Sequence, residues 1–169
     1  HAGHELVVDV TARTLNSPLD ALVQLTDAAG AVIAWNDDFD DKASGLSTHA
    51  ADAYLRVRLP RTGTYFVRIT DARQHGGLAY GYRVRIGPPQ PDFALRLTPA
   101  TLNFRAGRTA VVAVHAVRRD GFDGPIELAL ENAPAGFTVQ GGCLPAGRDT
   151  IRMTVHATGA ASGTSVVLR

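Results

Sequence analysis

One acidic stretch, WNDDFDD at residues 35–41, gathers the densest set of side-chain oxygens in this chain. Calcium takes six to eight oxygen ligands, which clustered aspartates and asparagines supply. Asn36, Asp38 and Asp40 stand at the spacing of the first three ligands of an EF-hand calcium loop. These three residues are therefore the candidate metal ligands, and calcium is the candidate cofactor.

The EF-hand pattern does not continue beyond those three positions. Asp41 stands where the loop requires glycine, and Ser47 stands where it requires a bidentate glutamate. Two alternatives stay open. The stretch is either a calcium site of another kind, which would also use Asp20 or Asp52, or a polar hairpin loop whose Asn and Asp side chains bond their own backbone.

The same carboxylates are a poor basis for catalysis. A glycosidase needs two carboxyl groups about 5–9.5 Å apart, one of them with a raised pKa, and burial raises that pKa. Residues 36–48 contain too little apolar material to bury a carboxyl group. The chain also lacks the GxSxG, HExxH and phosphate-loop motifs, so we expect no enzymatic activity. Two histidines in predicted strands, His115 and His156, are expected to be hydrogen-bonded or exposed.

A second candidate site consists of arginines at alternate positions of two predicted strands. Arg56 and Arg58 share one face of the first strand with Tyr54, and Arg83 and Arg85 share one face of the second. If the two strands are neighbours, these five side chains line one sheet face that could bind acidic glycans or protein carboxylates. The alternative is a solvated face whose charges protect the sheet from edge-to-edge pairing.

The composition excludes several classes of partner. The net charge is +1, so nothing in it favours nucleic acid or an anionic membrane as a partner. No run of 18 apolar residues is present, so we expect no membrane insertion. The single cysteine, Cys143, cannot form an intrachain disulfide or a cysteine-based metal site. We expect it to be a small apolar filler.

Apolar and polar residues alternate with a period of two through both halves of the chain, as they do in half-buried strands. The strands predicted in the first half are 5–11, 21–27, 31–35, 53–59, 64–70 and 80–86. Those predicted in the second half are 93–98, 109–117, 126–130, 137–140, 150–157 and 164–169, with 102–104 as a further candidate. Gly- and Pro-containing turns separate them, so the fold class is all-β and the architecture is two β-sandwich domains.

The boundary between the two domains is placed at a proline-rich stretch. Residues 87–92 read GPPQPD and contain three prolines, so they cannot form a central strand or a helix interior. We therefore predict a first domain at 1–87, a stiff linker at 88–92 and a second domain at 93–169.

Several short segments of the first domain occur in an order and spacing found in one bacterial family. They are Ser17-Pro18-Leu19-Asp20, Leu25-Thr26-Asp27-Ala28-Ala29-Gly30, Asn36-Asp37-Asp38, Asp52-Ala53-Tyr54-Leu55, Pro60 through Tyr65, and Tyr80-Gly81-Tyr82-Arg83-Val84. Over about residues 4–87 the chain resembles the bacterial pre-peptidase C-terminal domain. The resemblance implies a jelly-roll-like β-sandwich that is attached to exported proteins and is not itself catalytic.

The resemblance also implies that the first domain is N-terminally incomplete. The chain begins near what would be the third strand of the family, and the missing segments carry much of the metal site in calcium-binding relatives. An incomplete domain leaves a sheet edge open, and open edges recruit other chains. We therefore predict a strand-exchanged homodimer.

The second domain contains two suggestive segments, at residues 117–126 (VRRDGFDGPI) and 133–137 (APAGF). They are similar to segments of the immunoglobulin-like or fibronectin-like domains that occur in large exported bacterial proteins. Together the two resemblances imply a non-catalytic accessory segment of a larger exported bacterial protein, periplasmic, cell-surface or extracellular, that spaces or docks its neighbouring domains. One alternative is a calcium-assisted binding module for a glycan or fibrous protein, and a more remote one is a fragment of a secreted hydrolase.

Overall fold

The structure, a computed structural model, describes residues 1–38, 52–103, 107–131, 133, 135–158 and 167–168. Within these residues the chain is all-β, and its only other regular element is a short 3-10 turn at Arg13–Leu15. No helix in this described part is long and apolar enough to cross a membrane. The chain divides into two compact units, His1–Pro91 and Asp92–Arg169.

The described part of the first unit forms two three-stranded antiparallel sheets. Its strands are β1 (Glu5–Thr11), β2 (Ala21–Asp27), β3 (Val32–Asn36), β4 (Tyr54–Arg58), β5 (Tyr65–Asp71) and β6 (Arg83–Gly87). The β1 sheet has the order β4-β1-β6, and the β2 sheet has the order β3-β2-β5. Each central strand therefore presents one face to the core and one away from it.

One hydrophobic cluster joins the inner faces of these two sheets. Val8 and Val10 of β1 and Val23 and Leu25 of β2 are at most 1% exposed and belong to the same cluster. Each pair is spaced by two residues, so alternation places both members on one face. Burying a side chain of this size contributes about 1.5–3 kcal/mol, so this cluster is the main stabilising element of the unit.

A β-bulge in β3 changes which side chains that strand exposes. Leu25 pairs with Ala34, but the next residue, Thr26, pairs with Val32, so Ile33 is an extra residue on β3. Ile33 and Ala34 both pack against the core. Residues 32 and 35 would lie on opposite faces of a regular strand, but the extra residue brings both to the outer face.

One side of the first unit is incompletely covered. Val84 and Ile86 of β6 pair with the core residues Val10 and Val8 and so lie on the inner face of the β1 sheet. They are nevertheless 37% and 52% exposed. The inner-facing residues of β5 are also only half-buried. The edge of the sandwich formed by β6 therefore leaves apolar surface in contact with solvent.

The described part of the second unit contains one four-stranded sheet and two short strand pairs. Its strands are β7 (Asp92–Thr98), β8 (Arg108–Arg119), β9 (Ile126–Glu127), β10 (Leu130–Glu131), β11 (Phe137–Gln140), β12 (Cys143–Leu144), β13 (Thr150–Ala157) and β14 (Val167–Leu168). The large sheet has the order β11-β13-β8-β7, and the pairs are β12-β9 and β10-β14. A separate cluster, centred on Val114, Leu144 and Met153, forms its core.

Most predicted strands are present, with changes at their ends. The strand predicted at 80–86 begins at Arg83, because the amide of Tyr80 instead donates to the carbonyl of Gly77 in a turn. The strand predicted at 126–130 is split into β9 and β10, and β12 was not predicted at all. In the candidate strand at 102–104, residues 102 and 103 are outside any strand, and 104 lies outside the described residues.

Candidate functional site

The acidic stretch is tied to the fold through Asn36, the last residue of β3. Its amide Nδ2 donates to the carbonyl of Tyr54, 2.9 Å away, and its Oδ1 accepts the backbone N–H of Asp38 at 2.9 Å. Both ends of this side chain therefore serve the backbone, and the second bond closes the turn after the strand. This is the geometry expected of the polar-loop alternative, although it leaves the calcium alternative untested.

Asp38 lies in acidic surroundings. Partial burial, followed by the nearby charges of Asp37 and Asp20, raises the pKa of Asp38 above its ordinary value of 3.8. Asp20 also faces Arg73, with 3.4 Å between Arg73 Nε and Asp20 Oδ2. Among the residues that the structure describes, no three His, Cys, Asp or Glu side chains form a group able to hold a metal. The predicted ligand Asp40 lies outside those residues.

Asp52, considered in the sequence as an additional calcium ligand, has a role in the fold. Its Oδ1 accepts the backbone N–H groups of Ala12 and Arg13, at 3.0 and 2.9 Å, where the 3-10 turn begins. These groups have no partner inside a short helical turn, so a carboxylate there satisfies them. The bonds fix the start of the turn against the segment that leads into β4.

Asp71, at the end of β5, is a second carboxylate used by the backbone. Its side chain is 2% exposed. Its Oδ1 accepts the N–H of Asp20 at 2.9 Å, and its Oδ2 accepts those of Arg73 and His75 at 3.1 and 2.9 Å. The bonds from Asp20 and His75 are the main reason that the pKa of Asp71 is lowered. Sequence patterns did not single out this residue, because no motif marks a turn carboxylate.

The predicted arginine surface forms with a different arrangement from the one expected. β4 and β6 are not neighbours, because β1 lies between them. The register nevertheless places all five predicted residues on the outer face of this sheet, with two acidic residues of β1 in the same rows. Across the strands the rows are Tyr54–Asp9–Arg85, Arg58–Glu5 and Thr11–Arg83, with Arg56 opposite Val7.

The two carboxylates of β1 engage half of these arginines. Arg56 Nη2 lies 2.6 Å from Glu5 Oε2, and Arg85 Nη2 lies 3.4 Å from Asp9 Oδ2. Val7, between them on β1, is fully buried. The face is therefore a mixed-charge surface rather than a uniformly cationic one, and the middle of it is closed to a ligand. The acidic members were visible in the sequence at alternate positions of ELVVDVT.

A groove of about 640 Å³ opens at the end of β5. Its walls include Leu22 and Thr70 from the β2 sheet and Gln74, His75, Tyr80 and Tyr82 from the loop that leads to β6. Tyr82 is 48% exposed. We call this feature the tyrosine groove. It combines aromatic and hydrogen-bonding side chains in one concave surface, which is the usual composition of a small-ligand site.

The outer face of the β2 sheet carries exposed aromatic side chains. Trp35 and Arg68 both pair with Gln24, and Val32 and Phe66 both pair with Thr26. Trp35 is 59% exposed, Phe66 57% and Val32 51%. We call these six residues the aromatic face. Its signal in the sequence is that Trp35 and Phe66 occupy the outward positions of strands, where polar residues are usual.

The second unit offers a few polar groups of its own. Cys143 was expected to be a small apolar filler, but it is exposed and lies opposite Glu127. A hydrogen bond to that carboxylate, with smaller contributions from burial and charge, raises the pKa of the Cys143 thiol. The histidine prediction is confirmed, since His115 and His156 lie within hydrogen-bond distance of strand threonines at 3.3 and 3.1 Å.

No family model, no curated protein and no solved structure matches the chain.

Proposed function

We propose that this chain is a non-catalytic accessory segment of a larger exported bacterial protein, in which it spaces, presents or docks neighbouring domains. The observation that carries the proposal is that two carboxylates, those of the buried Asp71 and the partly buried Asp52, serve backbone amides. Both carboxylate oxygens of Asp71 accept hydrogen bonds from backbone amides. Asp52 accepts two more backbone amides through its Oδ1. Carboxylates used in this way hold loops together, and the lowered pKa of Asp71 makes that group unsuited to general acid catalysis.

The arrangement of the two cores supports the same proposal. Each unit has its own buried cluster, as expected of modules in a multidomain chain. In this proposal the first unit is a jelly-roll-like pre-peptidase C-terminal module, and the second is an immunoglobulin-like domain. The incompletely covered inner face at Val84 and Ile86 offers a neighbouring domain or a second copy an apolar edge to dock against.

The proposal is tested by assaying catalysis and docking side by side. The protein is incubated with chromogenic esters, glycosides and peptides, and separately with a glycan array and immobilised collagen. We expect no turnover above that of the heat-denatured protein. Substrate turnover that follows the purified chain would overturn the proposal in favour of the hydrolase-fragment alternative.

The docking assay also decides whether the arginine surface takes part. Arg58→Glu together with Arg83→Glu reverses two charges there without touching the two ion pairs made by Arg56 and Arg85. Arg108→Glu, an exposed change in the second unit, is the matched control. Array or collagen signals lost only in the double variant would assign docking to that surface, and equal signals would place it elsewhere.

The incompletely covered edge of the sandwich at β6 also leads to the proposed homodimer. An uncovered sandwich edge with exposed valine and isoleucine can be filled by a strand from a second copy. We expect a dimer in light scattering, and Ile86→Lys should shift the mass toward the monomer. A monomeric mass for the unchanged protein across a wide concentration range would contradict the dimer while leaving the accessory role in place.

A second candidate function is a calcium-assisted binding module. The favouring observation is that Asp37 and Asp20 lie close enough to Asp38 to raise its pKa, which is a repulsion that a bound cation would relieve. A ligand present at 100 times its Kd adds about 2.7 kcal/mol to stability. A thermal melt in calcium against EDTA therefore decides the matter, since a shift of several degrees that Asp38→Ala abolishes supports calcium and an unchanged midpoint rejects it.

A further inference from the structure

The aromatic face has a regular layout that the fold explains. Its two rows, Trp35–Gln24–Arg68 and Val32–Thr26–Phe66, run across three adjacent strands. Neighbouring strands are about 4.8 Å apart, so the outer members of a row are separated by roughly 10 Å. Rows on one face are about 7 Å apart along the strands. The Cα atoms of Trp35 and Phe66 therefore lie diagonally, roughly 12 Å apart, and the hydrogen-bonding residues Gln24 and Thr26 lie on the strand between them.

This combination is suited to a sugar chain. A pyranose ring has an apolar C–H face that stacks on an aromatic ring and a hydroxyl rim that requires polar partners. Trp35 and Phe66, each more than half exposed, provide the flat apolar surfaces, which cost little conformational entropy to order. Gln24 and Thr26, which lie between the rings, provide an amide and a hydroxyl for the rim.

The charge on the face specifies the kind of sugar. Arg68 is exposed and is the only charged residue in the two rows, which contain no carboxylate. Within the described part of the chain it has no ion-pair or hydrogen-bond partner, unlike Arg56 and Arg85 on the other sheet. A guanidinium in this position can form a bidentate pair with a carboxylate, so the complementary ligand is anionic.

The face also continues in one direction. The next outward pair along β2 and β5 is Leu22 and Thr70, and both residues belong to the wall of the tyrosine groove. From Phe66 to Thr70 the surface extends for about 14 Å, before the groove adds its own length. A surface of this length and shape fits a chain of several sugar units better than it fits a single sugar.

We propose that the aromatic face binds an anionic polysaccharide, with sugar rings stacked on Trp35 and Phe66, a carboxylate paired with Arg68, and the chain directed toward the tyrosine groove. The assignment rests on the proposed non-catalytic docking role, for which it names the ligand class and the site. The residues around Arg68 in the two rows are uncharged, which favours a carbohydrate over an acidic protein as the ligand. Such a carbohydrate would carry one acidic group per sugar or per few sugars.

The chain supplies its own reporter for this proposal, because Trp35 is the single tryptophan. Oligogalacturonate of about six sugars is titrated into the full chain while Trp35 emission is followed, with a neutral glucan oligomer of equal length in parallel. We expect a saturable emission change with the acidic oligomer only. Raised salt should weaken the interaction, because the ion pair is solvent-exposed.

Variants then locate the site by calorimetry, which does not depend on the tryptophan. Arg68→Gln and Phe66→Ala should each weaken binding by about tenfold or more, and Trp35→Ala should do the same. Arg108→Gln, an exposed arginine of the second unit that belongs to neither candidate surface, is the matched control and should leave the affinity unchanged. Circular dichroism checks that each variant is folded. We expect it to be, because the three changed side chains lie on the outer face.

Three results would overturn the proposal. They are the absence of any saturable binding of the acidic oligomer, equal binding of the neutral oligomer, and an affinity unaffected by Arg68→Gln and Trp35→Ala. Products of the incubation are analysed for chain cleavage in the same experiment. Cleavage would defeat the non-catalytic role, whereas absent binding without cleavage would defeat only the ligand assignment.

Discussion

At the scale of single residues, the carboxylates of the first unit differ in which substitutions their positions can tolerate. Asp71 is buried and uses both oxygens, whereas Asp27 uses one oxygen, Oδ1, to accept the amides of Ala29 and Ala31 in an exposed hairpin. An asparagine retains one carbonyl oxygen and replaces the other with a donor. The two positions should therefore respond differently to the same substitution.

We expect Asp71→Asn to lower the melting temperature by several degrees at neutral pH, because the new amide group would face at least one backbone donor in either orientation of the side chain. Asp27→Asn is the control and should have a small effect. The pKa of Asp71 is lowered in the fold, so its ionised form stabilises the protein above the ordinary pKa of 3.8 and this contribution is lost as pH falls through the folded value. Melting curves of both variants against pH measure it, and a deficit in Asp71→Asn that persists in strong acid would contradict this explanation.

Cys143 gives a second prediction at this scale. Its exposed thiol donates to Glu127, which stabilises the protonated form and raises the thiol pKa. We expect Glu127→Gln to lower that pKa and to speed thiol modification several-fold at mildly alkaline pH, because the thiolate is the reactive form. Reaction rates with a thiol reagent measured against pH test this. Glu5→Gln in the first unit should leave the rate profile unchanged, and identical profiles for all three proteins would refute the role of Glu127.

At the scale of elements, the sequence predicted strands well wherever alternation was strict. In β4 the residues Leu55 and Val57 pack inward while Arg56 and Arg58 point outward, as the period of two required. The bulge at Ile33 could not be predicted in this way, because an extra residue interrupts the alternation and pairing is set by β2. Alternation does not predict strand order either. The placement of β1 between the two arginine-bearing strands, β4 and β6, was therefore not predicted.

Asn36 connects two elements, and its removal should loosen both. Asn36→Ala deletes a bond to β4 and the turn bond to Asp38, so we expect a loss of roughly 1–3 kcal/mol in the free energy of unfolding. Asn36→Asp retains the acceptor, so its free energy of unfolding should lie between those of Asn36→Ala and the unchanged protein. Urea unfolding in EDTA measures both. If Asn36→Ala were as stable as the unchanged protein, the stretch would not serve as the polar loop described above.

At the scale of the whole molecule, the buried side chains fall into two clusters, one drawn from each unit. The sequence indicated this through the prolines at 88, 89 and 91, where strand alternation is interrupted. It could not indicate which side chains would remain exposed, because exposure depends on which faces of the sheets cover one another. Trp35 and Phe66 stood out in the sequence only as aromatic residues in strands, and their placement together on one exposed face emerged with the three-dimensional arrangement.

Two separate cores predict two separable unfolding transitions. Leu25→Ala in the first unit and Met153→Ala in the second each remove a fully buried side chain, at a cost of about 2–5 kcal/mol. Trp35 emission reports the first unit, and far-ultraviolet circular dichroism reports both. We expect only Leu25→Ala to shift the fluorescence midpoint. A single transition that both variants move equally would show that the two cores unfold as one cooperative unit.

The bulge in β3 also bears on how this chain can change in length. A one-residue insertion or deletion in a strand ordinarily sends every later side chain to the opposite face. At Ile33 the strand already contains one extra residue between Val32 and Ala34. Val32 therefore stays on the outer face and Ala34 on the inner face. Deletion of Ile33 would straighten the strand and leave Trp35 pointing outward. Loss of one residue at this position should therefore be tolerated in a way that it is not in β2, so the hairpin before β3 can shorten by one residue while the exposed tryptophan is preserved.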